Sequence, residues 1–339
     1  MSELGKRQRR VLRAVVQEYI RTAQPVASVA VARRYRLRVS SATVRNDLAF
    51  LEEEGLLTHP HTSAGRVPTD HGYRYFTEWL MGEADLDRDE QMTVRHQFHQ
   101  VQLDTEQWSR LAASVLARLS TSASLVTMPQ AERSRLRLLE LVPIQGTRAL
   151  LVVVLDGGVV RQQLLQLDEA EVPANPHAFS AALSNALAGK DAREIRAAVL
   201  LHRGAADVAQ AVARVLEEQD RAVARDVYYD GFLNLLQQPE FASSATLRDI
   251  LSLLEDRTLL AELLPERLQP GQVRLVIGDE NPLELLRHFS LVFGRYGSEH
   301  GATGFVGVVG PTRMNYARSI GAVRYVGGLM TELMSAAAN

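Results

Sequence analysis

Apolar residues recur at helical spacing through the first fifty positions. Leu12, Val15, Val16, Tyr19 and Ile20 form one stripe, which predicts a helix from about Lys6 to Arg21. Pro25 suits the first turn of a second helix, where its missing N–H costs nothing, and Val26, Val29, Ala30 and Ala32 continue that helix to Arg34. Tyr35 to Val39 read as a turn. A third helix opens at Ser40-Ser41 and sets Val44, Leu48 and Leu51 at i, i+4 and i+7, with Gly55 just past its end. Leu56-Leu57-Thr58-His59, a turn at Ser63-Ala64-Gly65-Arg66, and Val67-Pro68 then predict a hairpin. Three short helices followed by a hairpin describe a winged helix-turn-helix. A small helical bundle with a hairpin and no nucleic acid shares the pattern.

The other side of the third helix separates the two readings. It presents Ala42, Asn46 and Ala49, flanked by Arg45 and Thr43. Side chains this short let a helix backbone approach a groove, and Arg and Asn are the types that read guanine and adenine edges. Ser40 or Ser41 caps the amino end and leaves N–H groups aimed outward, where a phosphate can sit. Charge points the same way. Residues 1–50 hold eleven Lys and Arg against three Asp and Glu, on a chain whose formal net charge is −2. Such a local excess is the footprint expected of phosphate contact.

Beyond this segment the pattern changes. Tyr73 to Met81 reads as a helix that closes the first domain, and the acidic stretch from Gly82 to Glu90 as a linker. Trp108, Leu111, Ala112, Val115, Leu116 and Leu119 make an amphipathic helix. Leu136 to Pro143 and Ala149 to Leu155 read as strands joined through Gln145-Gly146-Thr147. The hairpin signal Asp156-Gly157-Gly158 leads to another strand, Val159 to Leu167. Between about Asp168 and Thr246 the periodicity is mainly helical, at Phe179 to Ala188, Ala205 to Ala222 and Val227 to Leu236. Strand signals return at Val273 to Ile277, Phe289 to Tyr296 and Thr303 to Val309. The simplest topology is an α+β domain with one layer of sheet, interrupted by an insertion.

Composition removes several classes of function. The chain of 339 residues has no cysteine, so it holds no disulfide and no cysteine-based metal or redox centre. No apolar run approaches the ~20 residues of a membrane span, and MSELGKRQRR lacks the apolar core of a secretory signal. A cytoplasmic protein that needs no cofactor is expected. Apparent catalytic constellations dissolve on inspection. His59-x-His61 has metal-ligand spacing but no third ligand nearby, so a hydrogen bond or phosphate contact by His61 is the better reading. Gly304-x-x-Gly307-x-x-Gly310 is followed by Pro311 rather than by a helix, unlike a dinucleotide fingerprint. The polar cluster Gly310 to Tyr316 lines a pocket or forms a structural turn, with Arg313 pairing to an acid such as Glu280. No nucleophile has a histidine and an acid in motif context, so an enzyme is not expected.

Longer strings carry a resemblance. Pro25-Val26-Ala27-Ser28, Val39-Ser40-Ser41-Ala42-Thr43-Val44-Arg45-Asn46-Asp47-Leu48 and Leu51-Glu52-Glu53-Glu54-Gly55-Leu56-Leu57 resemble HrcA, the family of heat-inducible transcription repressors of bacteria. The segment from Pro60 to Arg74, PHTSAGRVPTDHGYR, is similar to that family's wing and following helix. Ile277-Gly278-Asp279-Glu280-Asn281 and Gly310-Pro311-Thr312-Arg313-Met314-Asn315-Tyr316 match its pattern near the other end. Ala27-Ser28-Val29 stands where the family usually has Gly-Ser-Arg, so that arginine's contact is missing here, although Arg33 and Arg34 lie one turn on.

The resemblance implies an α+β multidomain chain. Its expected parts are a winged helix-turn-helix over 1–82, a linker and helix over 83–104, a discontinuous GAF-like domain over 105–168 and 246–339, and an inserted, mainly helical dimerising domain over 169–245. It also implies a homodimer on double-stranded DNA at the inverted repeat called CIRCE, repression of chaperonin and chaperone operons, release on heat stress, and help from a GroEL-type chaperonin. In this frame Arg45 and Asn46, with Ser41 and Thr43, are candidates for base edges. Ser28, Arg33, Arg34 and the helix start at Ser40 are candidates for phosphates. His61, Ser63 and Arg66 on the wing are candidates for the backbone or the adjacent minor groove.

Overall fold

A computed structural model describes residues 4–35, 39–60, 65–101, 104–131, 134–156, 158–167, 175–199, 205–222, 227–241, 268–298 and 302–338. Helix α1 (Lys6–Thr22) buries Val11, Leu12, Val15 and Val16 and ends at Ala23, whose N–H bonds Tyr19 O at 2.9 Å. Helix α2 (Ser28–Arg34) begins later than its sequence suggests. Pro25 is not in its first turn. Val26 is extended and exchanges two backbone bonds with Arg66, at 2.9 and 3.0 Å, and pairing with the wing outweighs continuation of the helix. Helix α3 (Ser41–Glu53) is capped by Ser40, and the two-residue strands β1 (Leu57–Thr58) and β2 (Val67–Pro68) pair antiparallel behind it. Helix α4 (Asp70–Tyr75) starts under a Thr69 cap and widens into a π turn over Phe76–Leu80, closed by Met81 N–H on Phe76 O five residues back. The expected linker ends early, because α5 (Arg88–His99) starts within it; α6 (Thr105–Ser120) and β3 (Ala123–Thr127) follow.

A second compact unit spans residues 130–226. It contains β4 (Gln130–Ala131), β5 (Leu136–Gln145), β6 (Arg148–Leu155), β7 (Val160–Gln166), α7 (Pro176–Leu187), α8 (Ala192–Val199) and α9 (Ala206–Ala222). Strands β5, β6 and β7 form an antiparallel sheet in that order. One face buries Leu139, Leu141, Leu151 and Val153 in a core shared with Leu187, Ile195, Val212 and Leu216 of the helices. Ser180 and Ser184 of α7 accept the N–H groups of Leu141 and Leu139, at 2.8 and 3.2 Å. This shared core carries the three strands into the insertion. The domain borders near 169 and 245 read from the sequence therefore give way to borders at 130 and 226.

The chain then returns to the first unit, which comprises 1–129 and 227–339. Here the expected helix from Val227 to Leu236 is a strand, β8 (Val227–Asp230), and a short helix, α10 (Phe232–Leu236). The β-favouring Val-Tyr-Tyr pairs with β3, and Gly231 at φ 75° turns the chain between the two elements. Strands β9 (Val273–Ile277), β10 (Phe289–Gly297) and β11 (Ala302–Pro311) complete an antiparallel sheet ordered β8-β3-β11-β10-β9. Val126, Val292, Val306 and Val308 pack toward α6 and the final helix α11 (Tyr316–Ala338), in a core continuous with that of α1–α4. Leu125, Leu291, Phe293 and Val309 face the opposite side, against Leu235 and Phe241. Gly304 and Gly307 stand opposite Tyr296 and Phe293 on β10, and a Cβ at either would strike the facing ring. Those glycines serve sheet packing. Among the described residues no helix is long and apolar enough to cross a membrane.

Candidate nucleic-acid interface

Helix α3 divides as its sequence predicts. Val44, Leu48 and Leu51 are buried, while Ser41, Ala42, Arg45, Asn46 and Ala49 are exposed on the opposite side. Ser40 Oγ accepts the Thr43 N–H at 3.1 Å and lies 2.9 Å from Thr43 Oγ1, so both hydroxyls serve the cap. Asp47, on the buried side, takes a two-pronged bond from Arg7. Among the described residues neither Arg45 nor Arg33 has an acidic partner, and both are exposed.

Other candidates are committed to the protein itself. Ser28 is buried at the start of α2. Arg34 lies 3.3 Å from Glu18, which also holds Arg21 at 2.6 Å and Tyr35 at 3.2 Å. The hydrogen bond from Arg21, assisted by the nearby Arg34, keeps the Glu18 carboxyl below its usual range despite burial. Arg66 pairs with Glu52 at 2.7 Å, and His59 bonds the same carboxylate. Burial pushes the Glu52 pKa up, but the His59 bond and Arg66 bring the net shift below normal. This carboxylate staples the base of the wing to the end of α3. His61 and Ser63, expected on the wing, lie outside the described residues. The role of Glu52 was missed from sequence, where it stood as one of three adjacent acids.

The two terminal motifs meet the helix-turn-helix domain. Arg74 on α4 donates to Glu280 at 2.8 Å and to Leu275 O at 3.0 Å, and Asp70 accepts the Asp279 N–H at 2.9 Å. Arg313 pairs with Glu240 rather than with Glu280, and also donates to Gln238 at 2.6 Å and to Ile20 O of α1 at 3.2 Å. A cavity of about 570 Å³ lies beside it, lined in part by Arg13, Arg21, Thr121, Arg313 and Asn315. Arg21 and Arg313 are neutralised by Glu18 and Glu240, and Glu83 adds a further negative charge to the lining, so the cavity has no strong preference for one charge. Among the described residues no cluster of three His, Asp or Glu can hold a metal ion.

A capped helix with an unencumbered polar face, carried on a basic N-terminal segment and backed by a wing hairpin, defines a helix-turn-helix protein of the DNA-binding class. Comparison with known proteins agrees. Residues 18–69 match the model of the DeoR-like helix-turn-helix domain, and residues 106–320 match that of the HrcA protein C terminal domain. Relatives named heat-inducible transcription repressor HrcA include those of Herpetosiphon aurantiacus, 44% identical over 98% of this chain and 96% of that one, and Chloroflexus aurantiacus, 42% identical over 98% and 94%. A solved structure described as a hypothetical protein shares 26% identity, with a TM-score of 0.61 over 98% of this chain and 99% of that one. The chain belongs to the HrcA family. Its relatives bear the name of transcription repressors and not of enzymes, as the sequence led us to expect.

Proposed function

We propose that this chain is a cytoplasmic, dimeric repressor of heat-shock operons, binding a CIRCE-type inverted repeat and released on heating. The observation that carries the reading is the exposed face of α3, where Arg45 and Asn46 stand free on a domain of strong positive charge. Arg45 reads guanine and Asn46 adenine, with Ser41 beside them. Arg33 and the amino end of α3 at Ser40 hold phosphates. Arg34, Arg66 and Ser28 act one step back, fixing α2 and the wing so that the reading face is presented at one angle. The sheet of the first unit, with α6 and α11 against it, serves as the GAF-like domain.

Dimerisation through the insertion is supported by the outer face of its sheet. Leu138, Val142, Ile144, Val160 and Leu164 are exposed there, and the pairs Leu138–Val154 and Leu150–Leu164 make the apolar surface continuous across the strands. A twofold protein reads a palindrome, with half-sites separated by turns of roughly 10–10.5 base pairs. A bound dimer excludes polymerase from the promoter. A repressor whose stability is a few kcal/mol loses folded population steeply on heating, and a GroEL-type chaperonin would restore it.

The test is a titration of the purified chain against a labelled inverted repeat and a scrambled duplex, at physiological salt and two temperatures. A preference of ~10³ or more for the repeat, fading on heating, supports the reading. Equal, salt-sensitive binding to both duplexes removes it.

A further inference from the structure

The motif Ile277-Gly278-Asp279-Glu280-Asn281 lies away from the exposed face of α3, yet its side chains hold the loop by several hydrogen bonds. Asn281 Nδ2 shares its two hydrogens among three carbonyls, those of Gly278, Leu286 and Phe289, at 2.7, 3.0 and 3.0 Å, which fixes the loop from within. Glu280 accepts the Ile277 N–H at 2.9 Å and is thereby aimed before it meets Arg74. Gly278 adopts φ 49°, and a Cβ there would strike the Asp70 carboxylate, so the loop backbone forms a seat shaped for α4.

A second anchor lies on a different helix. Arg313 reaches Ile20 O at the end of α1, while Tyr73 of α4 packs against Tyr316 with ring centroids 5.6 Å apart. One contact leaves a domain free to swivel. Two polar contacts on separate helices, with a ring pair between them, do not. We infer that the seat of Asp70 and Arg74 on the Ile277–Asn281 loop is a positioning device that fixes the angle of the helix-turn-helix domain and so determines which half-site spacing the dimer accepts. The inference rests on the dimeric, inverted-repeat reading. Arg74 and Glu280 touch no base; they act through the orientation of α3.

The experiment compares the full-length chain with Arg74→Glu and with the swap Arg74→Glu/Glu280→Arg, using the natural inverted repeat and one with about 5 extra base pairs between half-sites, half of a roughly 10–10.5 base-pair turn. Wild type should prefer the natural spacing by ~100-fold or more. Arg74→Glu should keep its helical circular dichroism, bind a single half-site duplex as wild type does, and lose most of the spacing preference; the swap should restore part of it, since it returns the ion pair but not the bonds to Ile277 N–H and Leu275 O. Hydrogen exchange of the 277–281 peptide gives a second readout, because the Asp279 amide is protected only while Asp70 accepts it. Arg74→Gln, which removes the charge, stands in if Arg74→Glu does not fold. Unchanged spacing preference or unchanged exchange in a folded Arg74 variant overturns the inference. A wild type indifferent to spacing overturns the dimeric reading as well, so the two failures are distinguishable.

Discussion

Arg7 and Asp47 are bound face to face, Nε to Oδ2 at 2.8 Å and Nη2 to Oδ1 at 2.9 Å, across 40 residues of chain. The Asp47 side chain is only 4% exposed, so the pair ties the first turn of α1 to the buried side of the reading helix. Arg7→Ala leaves a buried carboxylate without its cation, and such a group is costly to retain. The melting temperature should fall and operator binding should weaken. Asp47→Asn/Arg7→Ala, which removes the charge as well as its partner, should recover part of the melting temperature lost in Arg7→Ala.

Arg45 and Arg33 are both basic and, among the described residues, both without an acidic partner, but they should fail differently. Arg45→Ala should cost about 1–3 kcal/mol on the natural operator and relax the preference at one base position. Arg33→Ala should weaken all duplexes alike and reduce the slope of log K against log salt by about one. Binding isotherms at several salt concentrations, on the operator and on single-base variants, separate the two.

Acid should loosen the helix-turn-helix domain through Glu18. Its folded pKa lies below the unfolded value, chiefly because of the bond from Arg21, so the folded state binds fewer protons than the unfolded one. The stabilisation is therefore complete above the ordinary glutamate range and is lost as pH falls through the depressed value. Glu18→Gln should lower stability at neutral pH and flatten the acid limb of a melting-temperature profile.

The outer face of the β5–β7 sheet should answer to charge. Leu164 is 59% exposed, so Leu164→Glu leaves the core of the insertion intact. Sedimentation should show a shift from dimer to monomer, with operator affinity falling at low protein concentration and the far-ultraviolet spectrum unchanged. A dimer of wild-type strength in this variant rules out that face.

Glu52 offers a test of the wing. Glu52→Gln removes the charge that holds both Arg66 and His59, while Arg66 keeps its two backbone bonds to Val26. Melting should change little, because α3 and the strands remain packed. Operator affinity should fall, since the Arg66 and His59 side chains are then no longer held in one position against the end of α3.

Helix α3 was legible from sequence because an apolar stripe and a short polar face both repeat at the helical period within it. The strands β9, β10 and β11 were legible for a similar local reason. What no local pattern could give is the partner of each charge. Arg34, Arg66 and Arg45 look alike in the sequence, but two are held by Glu18 and Glu52 and one is not. Arg74 meets Glu280 across 206 positions, and Arg313, read as a partner for Glu280, takes Glu240 instead. The strands of the insertion carried the right alternation, yet their membership depended on which helices covered them. Thus the sequence by itself determined helix α3, the hairpin behind it and the family, since those rest on periodicity and on contiguous strings. Tertiary structure alone decided which basic groups remain free for DNA and how the domain is seated, because ion pairing and burial depend on distances in space that separation along the chain does not constrain.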